Sequence, residues 1–426
     1  MKVLLLGNGA REHAMAWALK RSPLVSELTI APGNSGTARL GENVSLDPTD
    51  IQGILDLVRV KRVELVVVGP EAPLVLGVAD ACRAQGIPVF GPGRKGALLE
   101  GSKAFSKNFM KKHSIPTAPF DVCTEMDQVE KALAKRNPPY VVKADGLAAG
   151  KGAFIIDHLD EALGTAKELL SGEKLGKAGK TLVIEDCLQG VELTVLAITD
   201  GENIRALSPS QDHKRVYDND RGPNTGGMGA YSPVPWADDA LMRSIREKVL
   251  EPTLSGLQKD EIPFCGVIYA GLMIDQQKEP SVIEYNVRLG DPEAQVVLPV
   301  FQGDFARALL SCSEKKLKDL DWPKAEKCAV DVVVASGGYP GKYPKGLPVS
   351  GLEKLEDRED ILVFHAGLSE NPRGGYVTNG GRVLSVVGLG EDLEEAVQKA
   401  YSGVKEIHFE GMHYRNDIAA KARAFK

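Results

Sequence analysis

Lys143-Ala-Asp-Gly-Leu-Ala-Ala-Gly-Lys151-Gly152 sets two lysines and three glycines between two β-like runs, Tyr140–Ala144 and Ala153–Asp157. Gly146, Gly150 and Gly152 lack a Cβ, so such a hairpin can bring backbone N–H groups close to phosphates while Lys143 and Lys151 face the charge. It is no Walker A loop, because neither a helix nor Ser/Thr follows the second lysine. A solvated hairpin tip is the plainer alternative. Further along, Glu284-Tyr285-Asn286 alternates so that Glu284 and Asn286 share one strand face. An acidic and an amide oxygen side by side suit a Mg²⁺ that keeps its waters and bridges nucleotide phosphates, although any strand can carry Glu-x-Asn on a wet face. Arg288 lies on the same phase and can fork onto a phosphate or carboxylate. Asp291-Pro292-Glu293 adds two acids in a turn. Near the start, Gly7-Asn8-Gly9-Ala10-Arg11-Glu12-His13 sits between a strand and a helix like a dinucleotide fingerprint, but Glu12 stands in place of the third glycine. A single phosphate at the helix N-terminus fits better than NAD, and a ligand-free βα turn is the other reading.

The elements that would position these groups follow from the apolar pattern. Val3–Leu6, Leu28–Ala31, Glu64–Gly69 and Ile87–Phe90 read as strands, joined by helical stretches Arg11–Lys20, Ile51–Val60 and Leu74–Gln85. This order predicts a parallel sheet with helices on both faces and a ligand crevice at the carboxyl ends of its strands. Residues 103–112 look helical. Leu182–Glu185 and Leu193–Ile198 suggest an antiparallel pair, and residues 210–235 show neither helical nor strand period. Val282–Asn286 is a strand, and a last α+β unit has strands near Ala329–Ala335, Val363–Ala366 and Arg382–Val387.

Composition narrows the class. The 426 residues carry a formal net charge of −6, with 26% charged and 43% hydrophobic residues, as globular chains do. The mild acidity excludes a globally basic nucleic-acid binder. No apolar run approaches the 18 or so residues of a membrane span. The six cysteines form no CxxC pair and read as buried thiols of a reducing compartment, so a cytoplasmic location is expected.

Eight motifs occur in one familiar order: 7–13 as above, Ala-Pro-Gly-Asn at 31–34, Gly-Pro-Glu-Ala-Pro-Leu at 69–74, Glu-Gly-Ser-Lys at 100–103, the 143–152 hairpin, Ser-Gln-Asp-His-Lys-Arg at 210–215, Gly-Pro-Asn-Thr-Gly-Gly-Met-Gly-Ala-Tyr at 222–231 and Arg-Leu-Gly-Asp-Pro-Glu at 288–293. Through them, and through Gly-Gly-Arg-Val-Leu at 380–384, the whole chain closely resembles the phosphoribosylamine–glycine ligase (glycinamide ribonucleotide synthetase) family of the ATP-grasp superfamily.

The resemblance implies an α/β multidomain ATP-grasp fold. Its parts would be an N-terminal Rossmann-like domain over 1–102, an ATP-grasp region over 103–325 with a mobile lid over 121–190, and a C-terminal α+β domain over 326–426. It implies that ATP and Mg²⁺ (or Mn²⁺) are used to join glycine to 5-phosphoribosylamine, giving ADP and phosphate through glycyl phosphate, with no nucleic-acid or membrane partner and a monomer or homodimer. Carried over by position, Lys103, Lys143, Gly146 and Lys151 meet the nucleotide phosphates, Glu185 the adenine at the hinge and Glu192 the ribose. Glu284 and Asn286 ligate metal. Asn8, Gly9, Glu12, Glu71, Lys214, Gly290 and Pro292 line the substrate cleft, with Arg288, Asp212 and Asp291 as catalytic candidates.

The chain departs from the family at a few points: Ala10 replaces a Gly, Asp186 a Glu, and Tyr285 and Leu289 a Phe each. Ala270-Gly-Leu-Met-Ile274 offers none of the second metal-binding carboxylate that many ATP-grasp relatives carry one strand before Glu284. A sister enzyme with another acid and amine, such as a carboxylase of the purine pathway, is the nearest rival. A non-catalytic nucleotide-binding or NAD-linked protein is the rival of another class.

Overall fold

Short runs of Val, Leu and Ile flanked by Gly and Pro build the first sheet. The structure, a computed structural model, describes residues 1–147, 152–173 and 175–423. Strands β1 (Lys2–Gly7), β2 (Glu27–Pro32), β3 (Glu42–Asn43), β4 (Leu65–Val68) and β5 (Val89–Phe90) lie in the order β3-β2-β1-β4-β5, all parallel. The crossovers are helical: α1 (Ala10–Lys20) after β1, α2 (Ile51–Lys61) before β4, then α3 (Glu71–Leu76) and α4 (Val78–Ala84). The single helix expected over Leu74–Gln85 is therefore two. Gly77 takes φ +93, a left-handed conformation that only glycine adopts freely, and it ends α3 where apolar spacing alone would have run on. Helices α5 (Arg94–Gly101) and α6 (Lys103–Lys112) follow β5.

A second sheet stands apart. Strands β6 (Phe120–Cys123), β7 (Tyr140–Ala144), β8 (Ala153–Ile156) and β9 (Leu182–Glu185) lie antiparallel in the order β6-β9-β7-β8, covered by α7 (Met126–Leu133) and α8 (Leu159–Ser171). The expected pairing of Leu182–Glu185 with Leu193–Ile198 does not form. Strand β9 pairs with β6 and β7, while β10 (Val191–Thr199) opens a third sheet with β11 (Ile204–Ala206). The two runs look alike in sequence, but β9 is taken up between β6 and β7, and β10 between β11 and a later strand of the third sheet.

Residues 210–235 are not irregular throughout. They hold β12 (Gln211–Asp212), the hairpin β13 (Arg215–Tyr217) with β14 (Arg221–Asn224), and β15 (Gly229–Ser232). These segments are too short to show a period: β13 and β14 pair only with each other, while β12 pairs with β15, which pairs in turn with a later strand of the C-terminal region. After α9 (Asp239–Ile245) and α10 (Glu251–Lys259), strands β16 (Gly266–Ile274) and β17 (Pro280–Asn286) complete the third sheet, β11-β10-β16-β17. Helices α11 (Ala294–Val300) and α12 (Phe305–Ser313) lead to β18 (Cys328–Ala335). From there the chain passes through β19 (Pro348–Val349), β20 (Ile361–His365), β21 (Leu368–Glu370) and β22 (Tyr376–Thr378) to β23 (Arg382–Gly390) and α13 (Leu393–Glu406). The C-terminal sheet runs β12-β15-β18-β23-β20, so the 210–235 segment is shared with it.

The N-terminal and C-terminal sheets meet at two buried histidines. The His365 backbone N–H donates to Nδ1 of His13 at 2.8 Å, and Asn34 Nδ2 donates to the His365 carbonyl at 2.8 Å. Burial, with Arg39 and the neighbouring imidazole adding to it, lowers the His13 pKa to about 3; burial and Arg39, against Glu356, lower that of His365 to about 4. Both are therefore neutral in the fold and titrate near 6.5 when unfolded. The unfolded chain binds more protons below that value, so stability is full above pH 6.5 and is lost as pH falls toward 4. His13→Gln should keep an acceptor for the His365 N–H yet lose about 2 kcal/mol less than the parent between pH 7 and pH 5, read by urea unfolding. Parallel losses in the two proteins would remove His13 from this balance.

Candidate active site

The second, third and C-terminal sheets and the helices α1, α3, α5 and α6 line a cleft of about 500 Å³. One end lies where the chain leaves β9 of the second sheet. Glu185, the last residue of β9, is 2% exposed and ion-paired with both Lys143 of β7 and Lys107 of α6. Burial alone would raise the Glu185 carboxyl; the two ammonium groups overcome it and hold the pKa below the usual range. Lys107 also donates to Thr117 Oγ1 at 2.7 Å, and Lys143 to the Ile283 carbonyl at 3.3 Å. Around this charged knot the walls are apolar: Val141 and Ile155 on one side, Met273 and Ile283 on the other. A flat ring with polar edges suits such a slot.

The middle of the cleft is floored by β17. Glu284 and Asn286 share its cleft face, and burial of the Glu284 carboxyl is outweighed by Lys214, Lys143, Lys103 and Arg288, so that it stays ionised. Lys214 Nζ pairs with Glu192 at 2.9 Å. Cations gathered around one carboxylate and one amide oxygen leave room for a polyanion and a hard metal ion. Among the described residues no group of three or more His, Cys, Asp or Glu forms a closed metal site. The donor pair therefore fits a Mg²⁺ that keeps waters and shares phosphate oxygens. The register sets Gly271 of β16 opposite Glu284 and brings Met273 to the cleft, so no second carboxylate comes from that strand.

The far end is the 288–293 turn. Arg288 Nη2 bonds Glu100 Oε1 at 3.0 Å and Asn286 Oδ1 at 3.3 Å, with Glu71 at 3.6 Å. Asp291 Oδ2 pairs with Arg382 Nη2 at 2.9 Å and its Oδ1 accepts from Gln295 Nε2 at 2.7 Å. Burial pushes this carboxyl up, but Arg382 and Arg11 hold it below the usual range. Asp212 differs. It is 8% exposed, and burial, with Glu293 and Glu192 beside it and Lys214 opposing, raises its pKa to about 7.

Of the residues singled out from sequence, Glu71, Lys103, Lys143, Glu185, Glu192, Asp212, Lys214, Glu284, Asn286, Arg288 and Asp291 line one cleft. Asn8 and Gly9 sit at the β1–α1 turn, where their carbonyls accept from Asn34 Nδ2 at 2.9 and 3.3 Å. Gly146 packs on Ala178, and Gly290 on the Glu293 carboxylate, beside Pro292. Glu12 does not reach the cleft. Its carboxylate accepts from the Gly9 N–H at 2.7 Å and pairs with Arg11 at 2.6 Å, while a Cβ on Gly7 would lie 2.4 Å from its Cγ. The fingerprint's missing third glycine thus has a structural use: Glu12 caps its own helix. Lys151 and Gly150 lie outside the described residues. Sequence reasoning gave no role to Lys107, Glu100, Glu293, Arg11 or Arg382, all of which line the cleft. Lys107 follows Lys103 by one helical turn, a spacing that sets both on one face of α6.

Three family models match: the N domain of phosphoribosylglycinamide synthetase over residues 1–100, its ATP-grasp (A) domain over 101–294 and its C domain over 329–421. The chain is 46% identical to the phosphoribosylamine–glycine ligase of Vibrio parahaemolyticus, covering 100% of this chain and 99% of that one. It is 45% identical to that of Escherichia coli K12 over 99% of both. A crystal structure of the phosphoribosylamine–glycine ligase of Thermotoga maritima superposes with a TM-score of 0.86 at 37% identity, over 98% of this chain and 100% of that one. The biotin carboxylase domain of a Hydrogenobacter thermophilus 2-oxoglutarate carboxylase, solved with MgADP and bicarbonate, shares the fold at TM-score 0.74 and 17% identity, covering 97% and 91%.

A carboxyl titrating near neutrality inside the cleft has a kinetic signature. If Asp212 works as the carboxylate, kcat/KM should fall as pH drops through about 7, and Asp212→Asn should remove that limb while lowering the plateau about a hundredfold. A variant that keeps the same acid limb would assign it to another group.

Proposed function

The chain belongs to the phosphoribosylglycinamide synthetase family and is an ATP-dependent ligase of purine biosynthesis, and we propose that it joins glycine to 5-phosphoribosylamine through glycyl phosphate. The observation that carries this reading is the single cleft in which the Glu185 hinge, the cations around Glu284 and Asn286, and the paired charges of the 288–293 turn follow one another.

A carboxylate is a poor electrophile at neutral pH. Transfer of the γ-phosphoryl of ATP to a glycine carboxylate oxygen gives an acyl phosphate. The amine of phosphoribosylamine then attacks the acyl carbon, and phosphate leaves with that oxygen. The protein's part is positioning and charge neutralisation. In this reading Lys107, Glu185 and Lys143 hold the adenine and Glu192 the ribose, while Lys103, Lys143 and Lys151 meet the phosphates. Glu284 and Asn286 hold Mg²⁺ (or Mn²⁺), which would neutralise charge on the transferring phosphoryl group. Arg288 forks onto the reacting carboxylate.

The two acid candidates take separate roles. Asp291, kept ionised by Arg382 and Arg11, suits the glycine ammonium. Asp212, near neutrality in its titration, suits the proton released by the attacking amine. We divide the chain at 102 and 325, with the 121–190 sheet as a lid that keeps water from the acyl phosphate. No helix among the described residues is long and apolar enough to cross a membrane, and the reading assumes a cytoplasmic setting.

Two outcomes are expected. With both glycine carboxylate oxygens labelled with ¹⁸O, one label should appear in the released phosphate alongside ADP; unlabelled phosphate would falsify the acyl phosphate route. Glu284→Gln should fold normally and lose about a hundredfold or more in turnover, partly restored by raised Mg²⁺. Near-normal turnover at ordinary Mg²⁺ would leave Glu284 a plain strand residue.

A further inference from the structure

Two thiols that the reaction does not use lie against each other outside the cleft. Cys265 is half-buried, one residue before β16; Cys312 is buried on α12. Their Sγ atoms are 3.3 Å apart although 47 positions separate them in sequence. Cys312 donates to the Thr199 carbonyl at 2.9 Å, and Cys265 Sγ lies 3.5 Å from the Val89 carbonyl. That carbonyl and the Gly91 carbonyl both accept from Arg83 Nη2, at 3.2 and 2.5 Å, which brings a guanidinium to the Cys265 side of the pair.

We propose that Cys265 and Cys312 are a peroxide-oxidisable dithiol that closes to an intramolecular disulfide tying α12 to the start of β16. The sulfurs need approach by only about 1.2 Å to reach bonding distance. The two thiols are also unequal. The adjacent Cys312 thiol and Arg83 lower the Cys265 pKa against burial and Asp200, while burial raises that of Cys312 well above the ordinary value. A half-buried thiol whose pKa is pulled down, 3.3 Å from a buried one whose pKa is pushed up, is the arrangement of an attacking and a resolving cysteine.

The oxidant is hydrogen peroxide. The Cys265 thiolate attacks one peroxide oxygen, the O–O bond breaks, and the departing oxygen leaves as water once protonated, giving a sulfenic acid. The Cys312 sulfur then attacks the sulfenic sulfur, the S–O bond breaks, and a second water leaves with the Cys312 proton. Two thiols lose two electrons and two protons in all, and one peroxide becomes two waters.

The test uses the full-length protein, fully reduced, then treated with equimolar hydrogen peroxide and alkylated without reduction. Titratable thiols should fall from the six of the sequence to four. Peptide mapping should return a Cys265–Cys312 linked pair that dithiothreitol releases. In Cys312→Ser the same treatment should stop at a Cys265 sulfenic acid, trapped by dimedone. A wild-type protein that keeps both thiols, carries Cys265 only as a sulfenic or sulfinic acid, or loses its thiols at other cysteines would overturn the proposal, and this mapping needs no variant to fold.

Discussion

Arg288 lies between two carboxylates from a distant stretch of chain, Glu71 and Glu100, and three residues later Asp291 is held by Arg382 from the C-terminal sheet. Glu100 is buried and the other four charges are half-buried, so a charge left unmatched here gives up hydration that it does not regain. The turn 288–293 can therefore keep its shape only while the N-terminal helices and β23 both stay docked on it. Arg11 adds a third tie, donating to the Leu289 carbonyl at 3.2 Å. One short turn thus needs both the N-terminal and the C-terminal part of the chain, and its end of the cleft is assembled by folding rather than by the ligand.

The hinge end is arranged differently. Lys107 and Lys143 converge on the one carboxylate of Glu185, with burial lowering the Lys107 pKa. Two like charges share a small space because an anion sits between them. Further down the cleft, Lys103, Lys214 and Arg288 surround Glu284, which is matched in the same way. In the proposed reading a nucleotide would enter among cations that these carboxylates already hold in place, leaving little reorganisation for the reacting step.

The strands with buried, β-branched runs were legible, as were the glycine-bearing turns after them; β1, β4, β7 and β17 fall where the apolar pattern sets them. What escaped depended on partners distant in sequence. Strands β12 and β15 exist because β18 lies alongside, and no local period marks them. The site divides along the same line. Residues whose chemistry shows within a few neighbours, such as Glu284 with Asn286, stood out. Glu100 and Arg382 are ordinary charges until the fold brings them to Arg288 and Asp291. Glu12 erred in the other direction: a carboxylate in a glycine-rich turn looks like ligand chemistry, but it is consumed by Gly9 and Arg11.

The packing explains why the 121–190 sheet, rather than another part, can serve as the proposed lid. Its apolar core, built around Val129, Leu133, Val142, Ile156, Leu169 and Leu182, is drawn entirely from its own strands and helices. The main cores instead run through the N-terminal, central and C-terminal sheets together, with Leu4, Leu272 and Val332 in one cluster and Leu5, Val267 and Val387 in another. Moving one of those sheets would expose shared apolar surface, at roughly 25 cal/mol for every Å². Moving the lid sheet leaves its core intact and strains mainly its polar edge: the Lys107–Glu185 ion pair, Lys143 Nζ on the Ile283 carbonyl at 3.3 Å, and Asp145 with Ser102 Oγ at 2.9 Å and the Ala104 N–H at 2.6 Å. Of these groups Lys107, Glu185 and Lys143 line the cleft, so in the proposed reading the groups that release the lid are among those that would grip the adenine. In that reading the coincidence would couple closure to ATP without any separate signal.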